Sequence, residues 1–212
     1  DQYGKADDHP LFLVSNIIGS MGTMQASVLD PSLCRGHVFI APSMRQLHVR
    51  KRSWLQSITA PLAMRTLSYR PLGAYFLKSV ARPDQLRRVL LMAYSIADAV
   101  DEELIQLLRE PALTPGALDV FLSFITYDSG PVPEDLMPLL SSPSLVIWGE
   151  QDKFEPYKEG RALRHYATVE QFVALPGIGH CAHDEAPDLV NQLVGDFIAS
   201  NTGDQALVTV DF

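Results

Sequence analysis

Pro10-Leu11-Phe12-Leu13-Val14-Ser15-Asn16-Ile17-Ile18-Gly19-Ser20-Met21-Gly22 is a short apolar run that ends in a glycine-punctuated turn. A buried parallel strand hands over to a helix in this way, so the reading is strand, tight turn, helix. The helix is expected from about Gly22 to Leu29 and stops at Asp30-Pro31, because proline cannot continue it. A second apolar run, His37 to Ala41, has the length of another strand and ends at Pro42.

Downstream the period changes. From Met44 to about Leu140 the pattern is helical and broken by prolines, with helices expected at Trp54 to Tyr69, Leu72 to Val80, Pro83 to Ala93, Asp101 to Leu108 and Pro115 to Thr126. Asp101-Glu102-Glu103 places carboxylates at a helix start, and Thr114-Pro115 reads as an N-cap followed by proline at the first helical position. Strand logic resumes at Ser144 to Trp148, followed by a turn ending in Asp152, a helix around Pro156 to Tyr166, a strand Glu170 to Leu175, a turn ending in His180 and a helix Ala186 to Ala199. Strands that alternate with helices predict a mostly parallel α/β sheet with helices on its faces. The expected division is a core of residues 1–44 and 141–202, a helical cap of 45–140 and a tail of 203–212 whose apolar piece, Ala206 to Phe212, could add an edge strand.

Composition fits such a fold. The 212 residues are 47% hydrophobic, enough to bury a sizeable core and to exclude general disorder. A net charge of −8 disfavours nucleic acid as a partner. The charge is uneven: Arg45 to Arg88 holds ten basic residues and one acid, so that stretch carries +9 and the remainder −17. Two cysteines, Cys34 and Cys181, make neither a disulfide framework nor a metal knuckle, and a reducing compartment is expected. His180, His183, Asp184 and Glu185 are close in sequence but lack a remote further ligand, so no metal is expected.

The two turns after the later strands carry the chemistry, at the edge where open parallel sheets place their sites. An acid, Asp152, then a strand, then a histidine, His180, is the order in which a carboxylate orients the imidazole that activates a serine.

With these turns and the helical insertion, the chain resembles the alpha/beta-hydrolases, and among them plant and cyanobacterial plastid hydrolases of the pheophytinase and chlorophyll dephytylase kind. The resemblance runs from about Pro10 to Ala199 and is carried by Val38-Phe39-Ile40, Leu47-His48, Ser79 to Pro83, Pro115 to Leu122, Gly130 to Glu134, Trp148-Gly149-Glu150-Gln151-Asp152, Gly177-Ile178-Gly179-His180-Cys181 and Asp184 to Pro187. It implies an acid at Asp152, a base at His180 and a nucleophile in the turn after the first strand. There the family pattern is Asn-Ser-hydrophobic-Gly-Gly, whereas this chain has Asn16-Ile17-Ile18-Gly19-Ser20, which puts Ile17 at the serine position. Pro31 stands fourteen residues after Ile17, the distance at which the helix after this turn commonly ends in such folds. The competing register makes Ser20 a fallback nucleophile, at the expense of a shorter helix and of Ile18 where the motif wants glycine.

Only nine residues precede Pro10, too few for the strands that come before this turn in such folds. The expectation is therefore either a piece of a longer chain or a truncated alpha/beta-hydrolase whose first strand is an open edge seeking a partner. The resulting functional expectation is a catalytically inactive hydrolase-like subunit of a larger, photosynthetic assembly, in the plastid and associated with thylakoids. The alternative is a serine hydrolase cleaving a pigment or lipid ester through Ser20. Arg45, Arg50, Lys51 and Arg52 are expected to form a patch for an acidic protein or an anionic membrane surface. No cofactor is expected. In active relatives a bound pigment or lipid would lie under cap residues such as Phe76, Leu90, Leu91, Met92, Phe121, Phe124 and Tyr127.

Overall fold

The computed structural model describes residues 11–46 and 48–202. The chain enters as strand β1 (Phe12–Asn16), turns into helix α1 (Gly19–Leu29) and returns as β2 (Gly36–Ile40). Five helices follow: α2 (Trp54–Ser68), α3 (Arg70–Val80), α4 (Pro83–Ala93), α5 (Glu102–Ala112) and α6 (Ala117–Thr126). After a short α7 (Pro133–Leu136) come β3 (Ser144–Gly149), a single turn α8 (Tyr157–Gly160), β4 (Val169–Leu175), a single turn α9 (Ala182–Glu185) and the long α10 (Pro187–Thr202). The chain forms two compact units, which part at Met44/Arg45 and at Gly130/Pro131.

In the first unit the four strands pair in the order β1-β2-β3-β4, all parallel. Val38 lies opposite Val14 and Leu145, and Ile147 opposite Ile40 and Val173. Every residue of β2 and β3 is buried, which accounts for their unbroken apolar reading. Alternation then divides the core between two faces. Phe39, Val146 and Trp148 pack with Met21 and Met24 of α1 and with Leu136, Met137 and Leu140, whereas Val38, Ile40, Leu145 and Ile147 pack with Val190 and Phe197 of α10. The burial of Leu136, Met137 and Leu140 in this core is why the helical cap ends near Gly130 and not near residue 140.

Some local boundaries move. Helix α1 starts at Gly19, three residues before the expected Gly22, because the Ser20 and Met21 amides already donate to the carbonyls of Ile17 and Ile18. The helix expected at Pro156 to Tyr166 is instead α8 followed by a 3₁₀ segment, Arg161–His165. The expected edge strand at 206–212 lies outside the described residues.

In the second unit, α2 packs on α3 and α6, and α4 on α5. Its entry is tied down by cations. Arg45 donates to the carbonyls of Tyr127 and Ser129 and stacks 4.3 Å over the Tyr127 ring. The Arg52 guanidinium, 3% exposed, pairs with Asp128 at 2.7 Å. This corrects the expected patch: Arg45 and Arg52 bind inside the cap, while Arg50 is exposed and Lys51 half-buried. An apolar groove of about 540 Å³ runs between α5 and α6 and is lined by Leu77, Pro111, Ala117, Val120, Phe121 and Phe124.

Candidate active site

Three turns leave the carboxyl ends of β1, β3 and β4, carrying Ile17, Asp152 and His180. Ile17 adopts a left-handed backbone with φ 48°. Such a conformation is uncommon for any side chain and costs a β-branched one on the order of 1–2 kcal/mol. It persists because the surrounding backbone fixes it. The Ile17 amide donates to the Ile40 carbonyl at 3.2 Å, and the Ile17 carbonyl accepts from the amides of Ser20 and Ser43. A sharp strand-to-helix turn of this kind is where an α/β sheet exposes a nucleophile. Isoleucine has no proton to release and no lone pair, so it supplies none.

Ser20 lies elsewhere. It is in the first turn of α1, fully buried, and its hydroxyl accepts from the Ser15 hydroxyl at 3.3 Å, beside a Ser15–Thr23 contact of 3.0 Å. Its hydrogen bonds do not reach His180.

Asp152 and His180 are brought together. His180 Nδ1 and Asp152 Oδ2 are 2.8 Å apart, with the carboxylate fully buried and the imidazole 8% exposed. The second carboxylate oxygen, Oδ1, accepts the amides of Phe154 and Glu155 at 2.9 Å each, so the acid is aimed before the histidine arrives. Phe154 packs edge-on against the imidazole, with ring centroids 5.4 Å apart. Glu185 on α9 accepts the Gly179 amide at 3.0 Å and anchors the histidine turn from below. With Asp152 on Nδ1, that nitrogen carries the proton and Nε2 is left as the basic atom.

Glycine brings the turns together. A Cβ on Gly149 would fall on the Gly179 carbonyl oxygen and within 2.5 Å of that of Ile178, so only glycine lets the two loops touch. The Gln151 amide donates to the Ile178 carbonyl and the Glu150 amide to that of Leu175, lacing the two turns together. Gly177 turns the second loop with φ 77°.

One acid was not anticipated. The buried Glu155 carboxylate accepts from the Ser43 hydroxyl at 2.8 Å and the Met44 amide at 3.1 Å, fixing the segment after β2 that also holds Ile17. Burial raises its pKa; the bonds from Ser43 and Met44 oppose this, the Asp152 charge adds to it and His180 opposes it. Its sequence signal is slight: a carboxylate between Phe154 and Pro156, three residues after Asp152. Burial also lowers the pKa of His183, with Asp184 opposing and His180 adding to the effect. Among the described residues, no cluster of His, Cys, Asp or Glu is arranged to hold a metal ion.

Residues 19–193 match the alpha/beta hydrolase family. An uncharacterized hydrolase of Bacillus subtilis, YugF, is 27% identical over 99 residues, which is 47% of this chain and 36% of that one. A 2-hydroxy-6-oxononadienedioate/2-hydroxy-6-oxononatrienedioate hydrolase of a Pseudomonas species is 34% identical over 64 residues, 30% of this chain and 23% of that one. Among solved structures, a meta-cleavage product hydrolase of Pseudomonas fluorescens superposes with a TM-score of 0.65 at 15% identity, covering 92% of this chain and 66% of that one. A thermophilic esterase of Thermogutta terrifontis gives 0.63 at 20% identity, covering 90% and 65%. The matches thus span just under two thirds of these structures and about a third or less of the curated relatives.

Proposed function

The chain belongs to the alpha/beta hydrolase family, and from that premise we propose that it is a hydrolase-fold protein without ester turnover, which binds a ligand and does not cleave it. The observation that carries this reading is Ile17 in the left-handed turn between β1 and α1. Acyl transfer through a covalent intermediate needs an oxygen or sulfur nucleophile at that turn, with a base in reach to take its proton. The base and its orienting acid are present as His180 and Asp152, 2.8 Å apart, but the turn offers only a hydrocarbon branch. Ser20 does not replace it, since that hydroxyl is enclosed and occupied by Ser15.

In this reading the chain is an interaction subunit of a larger assembly. The apolar groove between α5 and α6 supports a hydrocarbon ligand, such as the isoprenoid or acyl part of a pigment or lipid ester. The likeness to plastid hydrolases at Trp148 to Asp152 and Gly177 to Cys181 supports a chloroplast setting as part of the same proposal.

The test is turnover of a short-chain nitrophenyl ester by the chain and by its His180→Ala variant, with a fluorophosphonate probe added to both. Equal, background-level rates and no labelling are expected. Turnover that disappears with His180, or a label on Ser20, overturns the proposal.

A further inference from the structure

Helix α2 presents an apolar surface on both of its sides. Inward, half-buried Ala60, Met64 and Leu67 face the α3 and α6 packing. Outward, Trp54 is 78% exposed, Leu55 54%, Ile58 66% and Leu62 68%. At about 100° per residue, Trp54, Leu55, Ile58, Leu62 and Arg65 fall within one arc of about 100°. No residue of this 15-residue helix is buried. An apolar helix side left in water is normally covered by something.

The hydroxyls of α2 lie on exposed residues but are bonded within the helix itself. The hydroxyls of Ser57, Thr59, Thr66 and Ser68 donate to the carbonyls of Ser53, Leu55, Leu62 and Met64, at 2.7 to 3.0 Å. The Gln56 side chain accepts from the Ser53 amide in a reciprocal capping box. Hydroxyls that satisfy themselves on the preceding turn suit a helix in an apolar medium, where no water is present to accept from them. Arg65 is the remaining polar side chain, and it is a cation.

Charge selects the medium. Between Asp30 and Asp84 there is no acidic residue, and the compact unit that contains α2, residues 45–130, holds eleven basic and eight acidic residues, a net +3 against −11 for the rest of the chain. We propose that the Trp54-Leu55-Ile58-Leu62 face of α2 lies in the interfacial layer of an anionic lipid membrane, with Arg65, on the same arc, among the headgroups. Aromatic and aliphatic side chains partition into the acyl boundary while cations meet anionic lipid, which is the arrangement of a helix that lies in a membrane surface. Among the described residues no helix is long and apolar enough to cross a membrane, so the contact is in the plane of the surface.

The experiment is flotation of the full chain with phosphatidylcholine vesicles and with vesicles containing roughly 30 mol % phosphatidylglycerol, an anionic lipid. The chain has two tryptophans and Trp148 is fully buried, so a blue shift of emission, or quenching by brominated lipid, reports on Trp54. Flotation with the anionic vesicles only, a blue shift on binding and a loss of partitioning of about tenfold or more in the Ile58→Glu/Leu62→Glu variant are expected. A Trp54→Ser variant with unchanged far-ultraviolet circular dichroism should also bind more weakly, which separates loss of binding from loss of folding. Failure to float, equal flotation with neutral vesicles, or a glutamate variant that binds undiminished would overturn the proposal. Self-association abolished by the same glutamates, without vesicle binding, would assign the face to a second copy of the chain.

Discussion

Gly149 and Gly179 are in backbone contact: the carbonyl of one turn occupies the place where a side chain on the other would begin. Because the obstructing atoms are backbone, the contact cannot relax by a rotamer change. Gly149→Ala should therefore lower stability by about 3 kcal/mol, at the upper end of overpacking penalties, and push the Asp152 and His180 turns apart. Urea denaturation measures the first effect, and the His180 imidazole NMR signals report the second. A variant as stable as the parent would show that the two turns are not held by this approach.

Placing an oxygen at the β1–α1 turn should give the waiting base something to activate. Ile17→Ser is expected to gain labelling by a fluorophosphonate probe, and adding His180→Ala should slow that labelling by 10² or more, the usual share of a general base. Labelling of Ile17→Ser that ignores His180 would mean that the imidazole does not address this turn.

His37 is fully buried in β2, stacked on Phe39 with ring centroids 5.2 Å apart, with Cys34 Sγ 3.4 Å from its Nε2. Burial lowers its pKa from 6.5 to about 4. The folded state resists protonation that the unfolded chain accepts, so stability is fully present above pH 6.5, falls as pH drops toward 4 and levels off below. From that difference the loss is about 3 kcal/mol. Urea midpoints from pH 7 to 4 should show this slope, and His37→Gln should flatten it. Glu155, whose pKa is raised by burial, contributes with the opposite sense, because its stabilising effect is lost as pH rises. The difference between His37 and His37→Gln chains removes that contribution.

The Arg52–Asp128 pair is internal to the cap, with the arginine side chain 3% exposed. Removing the cation leaves Asp128, whose side chain is 32% exposed, to water, and Arg52→Met should cost about 1 kcal/mol in cap stability. High salt should lower the melting temperature of the parent only modestly, since the arginine end of the pair is enclosed while Asp128 is partly open to screening. A strong salt dependence would return Arg52 to the surface role its sequence suggested.

How legible this molecule is depends on the range of the interaction. Strand ends and breakers are local, so β2, β3 and the five long cap helices could be read within a few residues from apolar runs, prolines and caps. The meeting of Asp152 with His180 could be read because both stand at the ends of parallel strands, and register then does the rest. Glu155 could not be read, since its partners Ser43 and Met44 lie more than a hundred residues away. The fates of Arg45 and Arg52 were hidden for the same reason. A basic run looks alike in sequence whether its charges meet water or, as here, the 127–129 carbonyls and Asp128.

The left-handed turn at Ile17 is held by its neighbours' amides and carbonyls, none of which depends on the side chain it carries. Geometry and reactivity are therefore separable at this point of the sheet: the scaffold works as a socket, and the residue seated in it can be exchanged without rebuilding the turn. In a fold wired this way, gaining or losing a covalent step is one codon's distance, and the cap helices are free to diverge on their own schedule.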